Sequence, residues 1–173
     1  MRIPVATYRI QFTPSFGFIR AKNIVSYLAD LGISDIYASP IFKARKGSLH
    51  GYDGVDPTVI NPELGGKKRF DELSRELKKS EIGWIQDIVP NHMAYHHDNS
   101  MLMDIFEKGE RSYFYRFFDI DWDHRFDEMK GKLLAPFLGR FYAKCLEDRE
   151  IRLSLQNGEM RISYYDLKFP LFM

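Results

Sequence analysis

Gly83-Trp84-Ile85-Gln86-Asp87-Ile88-Val89-Pro90-Asn91-His92 is the stretch on which the fold turns. Gly83 to Val89 is a short, mostly apolar run that reads as a β-strand. Pro90 has no amide to give to a ladder, so the strand must end near it. A carboxylate, an amide and an imidazole follow one another at that end. Immediately before it, Lys67 to Lys79 reads as an amphipathic helix. Phe70, Leu73 and Leu77 lie on its inner stripe, and Lys78 and Lys79 sit at the negative end of its dipole. Further out, Ile33 to Ala38 fits a buried parallel strand. Arg20 to Leu31 reads as a helix with Ile24, Val25, Leu28 and Leu31 on one face and Gly32 as its stop. Ala6 to Phe12 reads as a first strand that ends at Thr13-Pro14. Strands alternating with helices at this spacing imply βαβ units and a parallel sheet.

The connections are uneven. The one after the second strand runs from Ser39 to Gly66, far beyond the usual span of about two to six residues. In parallel α/β folds the loops after strand C-termini build the active site, so a long loop there points to function, with a lid or a decorative insertion as the plain alternative. After about Met101 the pattern changes to clustered aromatics and charges. Asn157-Gly158 is then a favoured hairpin dipeptide. Counting outward pairs Leu155 with Met160, Leu153 with Ile162 and Ile151 with Tyr164 on one apolar face, and Ser154 with Arg161 and Gln156 with Glu159 on the other. Residues 1–100 therefore read as one unit and 101–173 as a β-containing insertion.

The 173 residues carry 25 basic and 24 acidic side chains, a formal charge of +1. That balance gives no electrostatic reason to expect nucleic acid or an acidic membrane as partner. Cys145 is the single cysteine, so an intrachain disulfide is excluded. The N-terminus lacks the features of a signal peptide, and a soluble cytoplasmic protein is the expectation.

Asp87 and His92 are the first candidates for chemistry, because strand alternation can turn Asp87 into a barrel mouth with His92 at its rim. Taken alone, Asp-x-x-x-Asn-His fits equally a hydrogen-bonded turn with a surface histidine. Other motifs fail. Asp119-x-Asp121-x-Asp123 resembles the start of a calcium loop, but His124 stands where that loop needs glycine and Lys130 where it needs glutamate. His96-His97-Asp98 reads as solvated loop, Gly65-Gly66-Lys67 as a turn into a helix, Cys145 as packing, and Glu147 to Glu150 as a solvated helix end. No metal is expected.

His50-Gly51-Tyr52-Asp53-Gly54-Val55-Asp56-Pro57 and Asn61-Pro62-Glu63-Leu64-Gly65-Gly66, taken with Asp87 to His92, resemble the α-amylase superfamily of glycoside hydrolases and transglycosylases. Within it, Ala6-Thr7-Tyr8-Arg9-Ile10-Gln11, Tyr27 to Ile33, Tyr165-Asp166 and Phe169-Pro170-Leu171 are most similar to the maltooligosyl trehalose synthase family. The resemblance runs along the whole chain. It implies an α/β fold: the first three βα units of a TIM (β/α)8 barrel, incomplete, followed by an insertion after the third strand. It implies a maltooligosaccharide substrate and no cofactor. Tyr52 would stack on a glucose ring, Asp53 would accept from its hydroxyls, and His92 would donate to one of them. Asp87, Asn91 and His50 would be structural parts of that site, and Arg9 and Gln11 are secondary candidates for the pocket floor, with barrel packing as the preferred reading.

Enzymes of this type retain configuration with two carboxyl groups about 5 Å apart. By resemblance these lie on the fourth and fifth strands, and no residue here matches them. A full barrel takes about 250 residues. The expected function is thus the N-terminal part of such a synthase, inactive alone, with a second chain as one way to complete the barrel. The alternatives are a fragment of another superfamily hydrolase or transferase, or a non-catalytic glucan-binding module.

Overall fold

The computed structural model describes residues 3–156 and 158–171. Within the first of its two compact units, Met1–Ala94, β1 (Thr7–Ile10) is followed by α1 (Phe18–Asn23), α2 (Val25–Asp30) and β2 (Asp35–Ala38). Then come β3 (Phe42–Ala44), β4 (Gly54–Ile60), a 3-10 turn (Pro62–Leu64), α3 (Gly66–Lys79) and β5 (Gly83–Gln86). β1, β2 and β5 form a parallel sheet with β2 in the centre. The register sets Arg9 beside Tyr37, and Tyr37 beside Ile85.

Alternation divides this sheet into two faces of opposite character. Ile10, Phe12, Ile36, Ala38 and, in part, Trp84 point into the core. Phe18, Ala21, Val25, Leu28, Leu73 and Leu77 of the helices cover them. Four rings knit the two layers, with Phe12–Phe18 at 5.2 Å, Phe18–Phe70 at 5.5 Å and Phe70–Trp84 at 5.4 Å between centroids, in the tilted and edge-on arrangements that ring quadrupoles favour. The opposite face carries Arg9, Gln11, Tyr37 and Asp87. The strand ends stay in step, because Ser39 N donates to Ile10 O and Asp87 N to Ala38 O, each at 3.0 Å. Asp87 is therefore the first residue beyond β5, not part of it.

Several expectations need correction. The helix expected over Arg20 to Leu31 is two helices, broken where Ile24 leaves helical geometry at φ −102° and ψ 2°. The apolar stripe passes straight through Ile24, so periodicity alone cannot register the break. Leu31, expected on the buried stripe, is 54% exposed, because the helix ends at Asp30 and the chain turns away at Gly32. The long connection from Ser39 to Gly66 holds an antiparallel pair, β3 with β4. Its three-residue strand, its register shifts and Pro57 inside β4 hid it from a strand pattern. The third parallel strand stops at Gln86, three residues before Val89.

The second unit, Tyr95–Met173, begins with α4 (Ser100–Lys108), capped by Asn99, whose Oδ1 accepts from Leu102 N at 3.2 Å. Then follow α5 (Tyr142–Glu147), β6 (Ile151–Gln156), β7 (Glu159–Tyr164) and β8 (Leu167–Pro170). The expected hairpin pairs all occur, Ile151 with Tyr164, Leu153 with Ile162 and Leu155 with Met160 among them. Asn157 of the expected turn lies outside the described residues, and Gly158 has φ +82°. β8, unanticipated, extends this sheet antiparallel to β7. Tyr95, Phe106, Phe137 and Phe169 make an aromatic cluster, with centroids 4.7–6.2 Å apart. Among the described residues, no helix is long and apolar enough to cross a membrane.

Candidate functional site

The loop from His50 to Asp53 lies beside the polar face of the parallel sheet, and its own hydrogen bonds shape it. Tyr52 N donates to His50 Nδ1 at 3.0 Å, and Gly51 N donates to Ser48 Oγ at 3.1 Å. Gly51 is required for two reasons. Its φ of +77° is a left-handed conformation that other residues resist, and a Cβ there would stand 2.6 Å from the Pro40 carbonyl oxygen. The chain leaves the loop through the Asn61 turn, where Asn61 Oδ1 accepts from Glu63 N at 3.0 Å.

This frame delivers Tyr52 to Asp87. The phenol donates to Asp87 Oδ2 at 2.5 Å, and Tyr37 Oη donates to the same oxygen at 3.2 Å. Arg9 Nη2 donates to the Tyr52 hydroxyl at 3.2 Å. Arg9 also lies 3.9 Å from Asp87 and 5.1 Å from the centre of the Tyr37 ring. The bond to Tyr52, more than the nearby carboxylate, raises the Arg9 guanidinium pKa above its ordinary value. His92 closes the other side of the loop. Its Nε2 lies 3.1 Å from the Tyr52 carbonyl. A carbonyl can only accept, so Nε2 is the donor in this bond.

The structure thus brings Tyr52, Asp87 and His92 together, with Arg9 and Tyr37 added. Asp53 is held differently. Its Oδ1 accepts from Ser48 Oγ at 2.5 Å and lies 3.9 Å from His50 Nδ1, a pairing within the loop. The His50 ring stacks on Tyr52 at 6.0 Å. Asn91 is exposed and makes no side-chain hydrogen bond among the described residues. Arg9 and Gln11, read first as packing and second as pocket floor, both reach the loop with their side chains. Gln11 Nε2 donates to His50 O at 3.1 Å. Their spacing of two, with polar residues facing the same way on a strand, was the available signal.

A cleft of about 60 Å³ beside Gly51, Asp87 and His92 belongs to this site. A larger cavity of about 570 Å³ lies in the second unit among Tyr95, Phe106, Trp122 and Phe137 and contains none of the expected site residues. His96, His97 and Asp98 do gather, with candidate ligand atoms within 4.8 Å of one another. His96 is buried, not solvated as its sequence context implied. Its Nδ1 already accepts from Asp98 N at 3.2 Å, and its ring stacks on His97 at 3.9 Å. Glu150 is likewise drawn in from the expected solvated helix end. It accepts from Tyr165 Oη at 2.6 Å and pairs with Arg140, and the Tyr165 bond is the largest cause lowering its pKa.

A tyrosine ring held by its hydroxyl beyond the second parallel strand thus stands next to a histidine beyond the third. The alpha amylase catalytic-domain family matches residues 22–138. The chain belongs to the alpha-amylase family. Its fold is accordingly that of the TIM-barrel enzymes. A Mycobacterium tuberculosis protein named "Putative maltooligosyl trehalose synthase" is 40% identical over 147 residues, 80% of this chain and 19% of that protein. A solved maltooligosyl trehalose synthase superposes with TM-score 0.88 at 35% identity, covering 97% of this chain and 22% of that one. The maltooligosyltrehalose synthase of Arthrobacter ramosus gives TM-score 0.81 at 35% identity, covering 96% and 21%. The chain spans about a fifth of the length of these relatives.

Proposed function

We propose that this chain is the N-terminal part of an enzyme converting the reducing-end α-1,4 linkage of a maltooligosaccharide into an α,α-1,1 linkage. The product is a trehalose-capped chain, formed by intramolecular transglucosylation. In this reading β1, β2 and β5 with their helices are the first three units of a (β/α)8 barrel, and the second unit is an insertion after the third strand. Tyr52 covers one face of a glucose ring, Asp53 accepts from its hydroxyls through the oxygen that Ser48 leaves open, and His92 offers its ring edge. Asp87 fixes the tyrosine.

One observation carries this reading. The Tyr52 phenol is bonded to Asp87, and the Tyr52 carbonyl to His92, so two loops separated in sequence meet at the C-terminal end of a parallel sheet, where such folds place their chemistry. The chemistry itself needs a nucleophile and an acid/base about 5 Å apart, and no carboxylate of this chain matches them. The chain alone is therefore inactive. The outer edges of β1 and β5 have no strand partner among the described residues, and further strands, in this or a second chain, would pair there.

Incubation with maltopentaose tests this. The 173-residue chain alone should consume no reducing ends. Adding a protein that supplies the later barrel strands should remove reducing ends and yield a trehalose-capped product. Capped product from the chain alone would contradict the assignment of the catalytic carboxylates to later strands. Shorter maltooligosaccharides from the combined proteins would identify a hydrolase instead.

A further inference from the structure

Arg9 of β1 and Gln11, the first residue beyond it, grip one loop at two kinds of group. Arg9 Nη2 reaches the side chain of Tyr52, at 3.2 Å from its hydroxyl. Gln11 Nε2 reaches the backbone two residues earlier, at 3.1 Å from His50 O and 3.4 Å from Leu49 O. The two are tied to each other, because the same Arg9 Nη2 also donates to Gln11 Oε1 at 3.2 Å. Hydrogen-bond bookkeeping assigns every partner. The Tyr52 hydroxyl spends its proton on Asp87, so its lone pair is what Arg9 can use. Asp87 Oδ2 receives both tyrosines, Tyr37 and Tyr52. Arg9, lying over the Tyr37 ring, is itself aimed by it.

We propose that Arg9 and Gln11 are positioning residues that hold the Tyr52 ring in the pose needed to stack on a sugar; this rests on reading Tyr52 as a stacking residue. Neither touches the sugar. A phenol fixed at its oxygen between a guanidinium and a carboxylate loses rotational freedom before the ligand arrives, so binding loses less entropy. Gln11 does the same for the turn that carries the ring. Both side chains are solvent-exposed, so the expected consequence is a change in ligand affinity and loop order and not in global stability.

The test is a double-mutant cycle on the whole chain, titrated with maltopentaose by calorimetry. Arg9→Ala should weaken binding about tenfold, and Gln11→Ala about threefold. Tyr52→Phe, which keeps the ring and removes the oxygen, breaks the bond to Asp87 as well and should weaken it at least as much as Arg9→Ala. The double variant Arg9→Ala, Tyr52→Phe should be no weaker than Tyr52→Phe alone, because that variant already breaks the Arg9 link. Arg9→Lys, which keeps the charge without the fork, should recover only part of the loss. Additive losses in the double variant would overturn the proposal and make Arg9 a direct ligand contact. A sugar-free arm separates this from the substrate reading. Amide exchange at Gly51 and Tyr52 should rise at least tenfold in Arg9→Ala and Gln11→Ala, with core amides such as that of Ile36 unchanged. If maltopentaose fails to bind the unaltered chain, the sugar reading falls while exchange still decides the clamp. Unchanged exchange at Gly51 and Tyr52 would sink the clamp itself.

Discussion

The two units handle their polar and apolar groups in opposite ways. In the first, the apolar side chains of a parallel sheet are closed over by α1, α2 and α3, and the polar residues of the other face bond to one another and to a loop. In the second, Leu153 and Leu155 of an antiparallel sheet are 68% and 70% exposed, while Tyr95 Oη and Trp122 Nε1 are buried with no hydrogen-bond partner. Burial also raises the Tyr95 pKa. The first unit thus closes the helix-covered face of its sheet, although Val5, Leu49 and Ile88 stay exposed and its sheet edges have no strand partner among the described residues. The second keeps apolar surface outside and unpaired polar atoms inside, a distribution expected of a region that completes its packing against something further.

This contrast can be broken most directly in the two cores. Phe18→Ala removes a fully buried ring that touches Phe12 and Phe70, and should cost about 3–5 kcal/mol in chemical denaturation. If the second unit is the looser one, Phe169→Ala, cut from its aromatic cluster, should cost less than this while also shifting only the second unit's resonances. Equal losses, spread over both units, would mean one cooperative core. Gly51→Ala comes next, at about 1–3 kcal/mol, because the new Cβ meets both a left-handed backbone and the Pro40 carbonyl. Its signature is a displaced Tyr52 resonance. A smaller effect of opposite sign is expected at Tyr95. Tyr95→Phe deletes a buried hydroxyl that has no partner and should be neutral or stabilise by about 1 kcal/mol; a clear loss of stability would show that the hydroxyl is satisfied in solution. Leu155→Ser should change unfolding free energy by less than about 0.5 kcal/mol, yet raise solubility if that face is a sticky surface.

The smallest expected effect is the acid dependence of the second unit. Asp104 has its pKa lowered, first by the hydrogen bond from Lys108 and then by that from Ser112. A carboxylate with a depressed folded pKa adds stability above its unfolded pKa and loses it as pH falls through the folded value. Asp104→Asn should therefore flatten the decline in stability toward acid pH. An unchanged slope would show that the pair is fully screened.

Much of the first unit was legible because parallel strands flanked by amphipathic helices obey two strong periodicities. Leu73 and Leu77 lie where a 3.6-residue pattern puts them, and Ile36 and Ala38 where a buried strand does. The break at Ile24 and the β3–β4 pair were not legible, since an apolar stripe can cross a kink and a three-residue strand carries no period. For the candidate site, motif and family resemblance pointed to Tyr52, Asp53, Asp87 and His92, and the structure brings Tyr52, Asp87 and His92 together. Their mutual bonds could not be read from either, because they depend on register: only with Arg9 set beside Tyr37 does the guanidinium reach the phenol. In the second unit the pairing of β6 with β7 followed from alternation and turn chemistry. The exposure of its apolar face did not, since alternation says which residues share a face and nothing of what covers it.

The central claim is that the Tyr52 ring is a platform for an α-glucan. Titration of the chain with maltopentaose, followed through the Tyr52 ring signals in NMR and repeated with Tyr52→Ala, tests it most directly. We expect saturable shifts in the Tyr52 and His92 rings, and an affinity at least tenfold weaker in the variant, in line with the loss of a stacked aromatic surface. Unaltered affinity in Tyr52→Ala, or shifts confined to residues remote from that ring, would contradict the claim.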